Sequence, residues 1–131
     1  MTAHVETVKD IYAAFGRGDI PAILARLADD VVWEAEGPPA ISFSGIRHGV
    51  ADTAGFFQGI DREHAEPSLE MISIIGSGDE VAAFGRYAAT MKNTGKRVSS
   101  PIAHYWKFRD GKVVRYVNHI DTAAFVEGMK A

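Results

Sequence analysis

The chain has 131 residues, a formal net charge of −3 and no cysteine. This length suits a single domain spanning residues 1–131, while the interspersed charges leave no basic stripe for nucleic acid and the lack of cysteine excludes disulfides and thiolate metal sites. No apolar run is long enough to cross a bilayer and the N-terminus has no secretory signal pattern, so we expect a cytoplasmic protein with no membrane or nucleic-acid partner.

Two helices are predicted at the N-terminus. The first should end near Gly16 and Gly18, and the second should begin after Asp19, a good N-cap, with Pro21 tolerated in its first turn. The second helix should stop before Asp29. The apolar residues that define the first helix recur every three or four positions: Val5, Val8, Ile11, Tyr12 and Phe15.

A strand and a third helix follow. Residues 31–36 are rich in β-branched and aromatic side chains, which favours a strand closed by Gly37-Pro38-Pro39. A loop is expected up to about Gly49, before a helix that contains Phe56 and Phe57. The two glycines inside that helix weaken it by about 1 kcal/mol each relative to alanine.

From Ser68 onward the apolar pattern has a period of two, which predicts strands over 69–75, 80–91, 98–108 and 113–121. Turn-forming residues separate these strands, so they should form an antiparallel meander. A short helix from Thr122 to Met129 closes the chain. The fold class is therefore α+β, with three N-terminal helices packed on one face of a curved, mainly antiparallel sheet.

Asp110-Gly111 predicts a two-residue type I′ turn that sets the register of the last two strands. Counting outward from this turn assigns each side chain to one face of the hairpin, because side chains alternate along a strand. Both faces are too apolar to meet water, so both need a cover. One face carries His104, Trp106, Phe108, Arg115, Val117 and His119, and the other carries Ser99, Pro101, Ala103, Tyr105, Tyr116, Asn118 and Ile120.

The element order and four motifs resemble the nuclear-transport-factor-2-like superfamily, in particular its SnoaL-like polyketide-cyclase and ketosteroid-isomerase-related branches. The motifs are Gly18-Asp19, the segment from Leu27 to Glu34, the segment from Pro101 to His104, and the segment from Asp110 to Val114. The resemblance implies a cone-shaped α+β barrel enclosing a deep pocket. Because this fold hosts isomerases, cyclases, dehydratases and epoxide hydrolases, function has to be argued from the pocket residues.

Ketosteroid isomerases hold the substrate oxyanion with a tyrosine and a protonated aspartate, while a second aspartate moves the proton. In this sequence the resemblance places Ile11, Ala103 and Ala35 at those three positions. A standard ketosteroid isomerase is therefore not expected. Tyr12 is adjacent to the tyrosine position, but one residue turns it about 100° around the helix, so we do not expect it to substitute.

The same correspondence directs Ala103 toward the pocket and so orients the hairpin. The opposite face, with His104, Trp106 and Val117, is then expected to meet a second subunit, since relatives usually cover this face by forming a homodimer. The ligand-binding residues predicted in this way are Ile11, Trp33, Ala35, Phe57, Ser99, Ala103, Tyr105, Tyr116, Asn118 and Ile120.

Two functions stay open for a pocket that takes a small apolar, oxygenated molecule. One is a cofactor-independent cyclase or isomerase working by proton transfer, with Asp121 as acid or base and Asn118 and Tyr116 as helpers. The other is a non-catalytic protein that binds a small hydrophobic ligand. Asp121 also suits the N-cap of the closing helix, and this structural role is favoured. We expect no cofactor and no metal site, because no third ligand accompanies the histidines at suitable spacing.

Overall fold

The structure, a computed structural model, describes residues 2–131, which form four helices and six strands. The α+β class is confirmed. The strand Gly45–His48 is an addition, since this segment was predicted as loop. The elements are α1 Thr2–Gly16, α2 Ile20–Leu24, β1 Leu27–Ala35, β2 Gly45–His48, α3 Val50–Glu63, β3 His64–Ser77, β4 Glu80–Met91, β5 Arg97–Arg109, β6 Lys112–Ile120 and α4 Thr122–Gly128.

Two aspartates cap helices as their sequence positions predict. The Oδ1 atom of Asp19 accepts a hydrogen bond from the Ala22 backbone N–H at 3.2 Å and starts α2. The Oδ1 atom of Asp121 accepts one from the Ala124 backbone N–H at 3.1 Å and starts α4. Each bond satisfies a backbone donor that has no partner within its helix.

The six strands form one sheet in the order β2-β1-β6-β5-β4-β3. Strand β1 runs parallel to β6, and the other neighbours are antiparallel, so the mainly antiparallel sheet is confirmed. The expectation of a closed barrel is wrong. The edge strands β2 and β3 are not paired with each other, and the sheet stays open.

The turn between β5 and β6 has the predicted conformation. Asp110 and Gly111 have φ angles of 52° and 77°, as a type I′ turn requires at both central positions. Beyond the turn, Phe108 pairs with Val113, which also agrees with the predicted register.

A β-bulge at Val114 then changes the register of the hairpin. Lys107 pairs with Arg115, so Val114 has no partner on β5. Because side chains alternate, one unpaired residue reverses the facing of every later residue of β6 relative to β5. The observed cross-strand pairs are Trp106 with Tyr116, Tyr105 with Val117, His104 with Asn118 and Ala103 with His119.

The core lies between the helices and one face of the sheet, which we call the inner face. Helix α1 buries Val8, Ile11 and Ala14, spaced three residues apart, as its amphipathic pattern predicts. Trp33 and Trp106 are buried on the inner face. Within residues 2–131, none of the helices combines the length and apolar character needed to cross a membrane.

Candidate functional site

A cavity of about 70 Å³ lies between the inner face and the helices. Its wall is largely aromatic and aliphatic, and among the described residues that line it there is no aspartate, glutamate, lysine or arginine. Six residues predicted to bind a ligand are part of this wall: Ile11, Trp33, Phe57, Tyr116, Asn118 and Ile120.

Three predicted pocket residues, Ser99, Ala103 and Tyr105, lie on the opposite face of the sheet, which we call the outer face. The prediction was wrong because it assumed a regular hairpin, whereas the bulge places Tyr116 and Asn118 on the same face as His104 and Trp106. Ala35 is buried and pairs with Asn118 across β1 and β6, but it does not line the cavity.

His104 and Trp106, predicted for the dimer face, instead line the cavity and join Tyr12 of α1 in a hydrogen-bonded chain. The indole Nε1 of Trp106 donates to the Tyr12 hydroxyl oxygen at 3.2 Å, and that oxygen lies 2.7 Å from Nδ1 of His104. An indole N–H can only donate, so the Tyr12 oxygen accepts from Trp106, and the Tyr12 hydroxyl shares its second hydrogen bond with Nδ1 of His104. We call these three residues the Tyr12 chain.

Tyr12, adjacent to the predicted tyrosine position, also lines the cavity. Ile11 and Tyr12 both line it, because the buried stripe of an amphipathic helix is at least about 100° wide and accommodates adjacent residues. The apolar spacing of α1 already included Tyr12, and this was the available signal. For His104, the alternation of side chains along a regular hairpin predicts the face opposite the cavity, because the sequence pattern does not reveal the bulge.

Burial keeps the Tyr12 chain uncharged at neutral pH. Desolvation lowers the pKa of His104 to about 4, and His119 contributes a smaller repulsion in the same direction. The Asn118 amide beside the ring opposes this shift, although its Oδ1 atom has no hydrogen-bond geometry with His104. Burial also raises the pKa of Tyr12, against the opposing effect of the Trp106 hydrogen bond. Both groups are thus neutral hydrogen-bonding groups at pH 7.

The lowered pKa of His104 makes stability depend on pH. In the unfolded chain, His104 has the ordinary histidine pKa of 6.5 and becomes protonated below that pH. In the folded protein, the same ring stays neutral until the pH falls to about 4. Stability contributed by the neutral ring is therefore complete above pH 6.5 and is lost as pH falls toward 4. We expect the free energy of unfolding to drop by about 2 kcal/mol between pH 7 and pH 5 from this group.

Urea titrations of wild type and His104→Asn at both pH values measure this effect. The variant should show a smaller drop in the free energy of unfolding between the two pH values. The drop that remains includes a contribution from His64, because burial also lowers the pKa of that histidine. Ala103→Ser, the adjacent residue on the outer face, should keep the full drop. An equal drop in wild type and His104→Asn would contradict the assignment.

A second buried histidine and tyrosine pair lines another part of the cavity wall. Nδ1 of His64 lies 2.8 Å from the Tyr87 hydroxyl, and both side chains line the cavity. Burial lowers the pKa of His64 and raises that of Tyr87. Strand β3 begins at His64, earlier than the strand predicted over 69–75, so this histidine is part of the sheet.

Asp121, the predicted acid or base, is outside the cavity wall. Its side chain is exposed and its carboxylate caps α4. The two residues predicted to assist Asp121, Tyr116 and Asn118, both line the cavity. Among residues 2–131, no group of three or more histidine, aspartate or glutamate side chains is arranged to hold a metal ion.

The profile of the SnoaL-like domain family matches residues 8–116 of this sequence. The chain belongs to the SnoaL-like family. Its structure agrees with those of NTF2-like proteins, while no curated protein matches the sequence.

Three solved structures illustrate the similarity of this SnoaL-like chain to known folds. An NTF2-like protein of unknown function from Burkholderia pseudomallei is 30% identical, with a TM-score of 0.91 and 100% coverage of both chains. TerC, co-crystallised with polyporic acid, is 27% identical, with a TM-score of 0.86 over 98% of this chain and 99% of TerC. A putative polyketide cyclase from Xanthomonas campestris, 23% identical with a TM-score of 0.85 over 98% of each chain, shares the fold.

Proposed function

We propose that this SnoaL-like protein binds a small, apolar, oxygenated molecule in the cavity. The observation that carries the proposal is the placement of the uncharged Tyr12 chain within an aromatic wall. Small-molecule sites combine a largely apolar lining with a few fixed polar groups that orient the ligand. The structure of TerC with polyporic acid supports the proposal, since TerC is similar over nearly its whole length.

Ligand binding requires the cavity to enlarge. A volume of about 70 Å³ is below the roughly 300–1,000 Å³ of sites for drug-sized ligands. Side-chain rotamer changes are common when proteins bind partners, and aromatic rings such as Phe15 and Phe57 on α1 and α3 line the space that must open.

Proton transfer is the second candidate function, and the Tyr12 chain is the observation in its favour. In the tautomer that carries its proton on Nε2, a neutral His104 suits donation to a substrate carbonyl oxygen, and Tyr12 can support the ring from the other side by donating to Nδ1. Proton abstraction also needs a base, but the described cavity wall contains no carboxylate, and burial lowers the pKa of its two histidines, His64 and His104, which weakens them as bases. We therefore place binding before cyclase or isomerase chemistry, and Asp121 is not part of this proposal.

The homodimer stays a prediction, with a corrected face. Two of its three named residues, His104 and Trp106, line the cavity, while Val117 lies on the outer face. The outer face also exposes Phe84 at 43% and Ile75 at 58%. Apolar side chains exposed on one sheet face support a second subunit there.

Tryptophan fluorescence tests the proposed binding directly, because both tryptophans of the chain, Trp33 and Trp106, line the cavity. We expect polyporic acid to quench their emission with a saturable dose dependence and to raise the melting temperature. N-acetyltryptophanamide at matched absorbance corrects for light absorbed by the compound. Binding of polyporic acid would be contradicted if the protein lost the same fraction of its emission as N-acetyltryptophanamide at every concentration and its melting temperature did not change.

A further inference from the structure

Two buried polar atoms in the cavity wall have no hydrogen-bond partner among the described residues. They are Nε1 of Trp33 and Oδ1 of Asn118, in residues that are 2% and 5% exposed. Unpaired buried polar atoms are uncommon in native proteins because desolvating them is costly, so each calls for an explanation. Here both belong to the wall of one cavity.

The sheet register brings these two residues to the same part of the wall. In the parallel pairing of β1 and β6, Trp33 is opposite Tyr116 and Ala35 is opposite Asn118. Trp33 and Asn118 are therefore diagonal neighbours on the inner face, one strand apart and offset by two residues. An indole N–H only donates and an amide oxygen only accepts, so the two atoms are complementary in character.

We propose that Trp33 and Asn118 together select a ligand with a carbonyl oxygen and a hydroxyl group on an aromatic frame. The carbonyl accepts from Nε1 of Trp33, and the hydroxyl donates to Oδ1 of Asn118. This inference rests on the proposed binding function and names the ligand class for it. Its donor is distinct from the Tyr12 chain, whose indole N–H already has a partner, while Asn118 is the cross-strand neighbour of His104 in that chain.

The rings around Trp33 explain why the frame is aromatic. Its indole stacks on Tyr116 at a centroid distance of 3.8 Å and meets Phe56 and Phe57 at 5.5 Å each. Flat rings pack favourably in such stacked and edge-to-face arrangements. Nε1 of Trp33 belongs to a ring surrounded by these rings, so a ligand that reaches it meets aromatic faces.

Nuclear magnetic resonance can observe the proposed donor itself. The two tryptophans of the chain give two indole N–H signals, which Trp33→Phe assigns by removing one of them. Trp106 serves as an internal control, because its N–H donates to Tyr12. The probes are meta-hydroxyacetophenone, acetophenone, which lacks the hydroxyl, and meta-ethylphenol, which lacks the carbonyl.

We expect both ketones to move the Trp33 indole proton downfield with saturable dose dependence, and meta-ethylphenol to move it much less. The affinities of the variants should show a crossed pattern. Asn118→Leu should weaken the two hydroxylated probes about three- to tenfold and spare acetophenone, while Trp33→Phe should weaken the two ketones by a similar factor and spare meta-ethylphenol.

Several outcomes would overturn the inference. A uniform loss of affinity for all three probes would show that the residues act only through packing. An unchanged Trp33 indole signal at saturation, or no saturable binding of any probe, would also refute it. If polyporic acid binds in the fluorescence titration while these results are negative, the binding function survives and only the assignment of the two atoms fails.

Discussion

Replacing Tyr116 with alanine should destabilise the protein by about 3–5 kcal/mol, the range for removing a large aromatic side chain from a core. Tyr116 is 3% exposed, stacks on Trp33 at 3.8 Å and packs on Trp106 at 4.6 Å. Its removal leaves a void beside the two largest side chains of the core. Urea unfolding monitored by circular dichroism measures the loss.

The matched control is Tyr105→Ala, the same chemical change at a neighbouring position. Tyr105 is on the outer face, partly exposed, and its hydroxyl donates to Glu80. We expect Tyr105→Ala to cost less than about 1 kcal/mol, as is usual for surface positions and exposed hydrogen bonds. A regular hairpin would place both tyrosines on one face and make the two losses similar, so equal losses would refute the bulged register.

Substituting Gly85 with alanine should destabilise the protein by about 3 kcal/mol, through a clash rather than a void. A Cβ atom at Gly85 would lie 2.3 Å from the backbone oxygen of Glu70 and 3.0 Å from Cα of Met71. Backbone atoms cannot rotate away, so β3 would have to move relative to β4. The melting temperature from differential scanning calorimetry is a suitable measurement.

Gly55→Ala provides a control of opposite sign. Gly55 lies inside α3, and the nearest atom to an added Cβ is the Arg47 side chain at 3.7 Å, an ordinary contact. We expect this variant to stabilise the protein by about 0.5–1 kcal/mol, because alanine favours the helix. A Gly85→Ala protein as stable as wild type would show that β3 and β4 are not this close.

Most of the fold was predictable from local patterns. The caps at Asp19 and Asp121, the turn at Asp110-Gly111 and the extent of β4 depend on neighbouring residues, and the sequence predicts them correctly. Strand β2 was missed, because four residues that are largely exposed carry no period of two.

The cavity wall was predictable on β1 and α3 but not across the hairpin. Trp33 and Phe57 were predicted through the resemblance to the superfamily, and both line the cavity. His104 was assigned to the wrong face, because the bulge depends on how β6 pairs with both β1 and β5, and the register shifts on both sides of β6 between Val113 and Arg115. Because this pairing is tertiary, the local sequence of β6, a run of apolar and β-branched residues, does not predict the bulge.

The bulge at Val114 has a consequence for comparing this protein with its relatives. From Arg115 to Ile120 the strand is regular, so counting backward from Ile120 gives the correct facing, whereas counting forward from the turn gives the reverse. A relative of equal length with a regular hairpin would present the alternate residues of β6 to its cavity. Identical residues in one alignment column would then face opposite sides of the sheet, and catalytic roles transferred through that column would be assigned to the wrong surface.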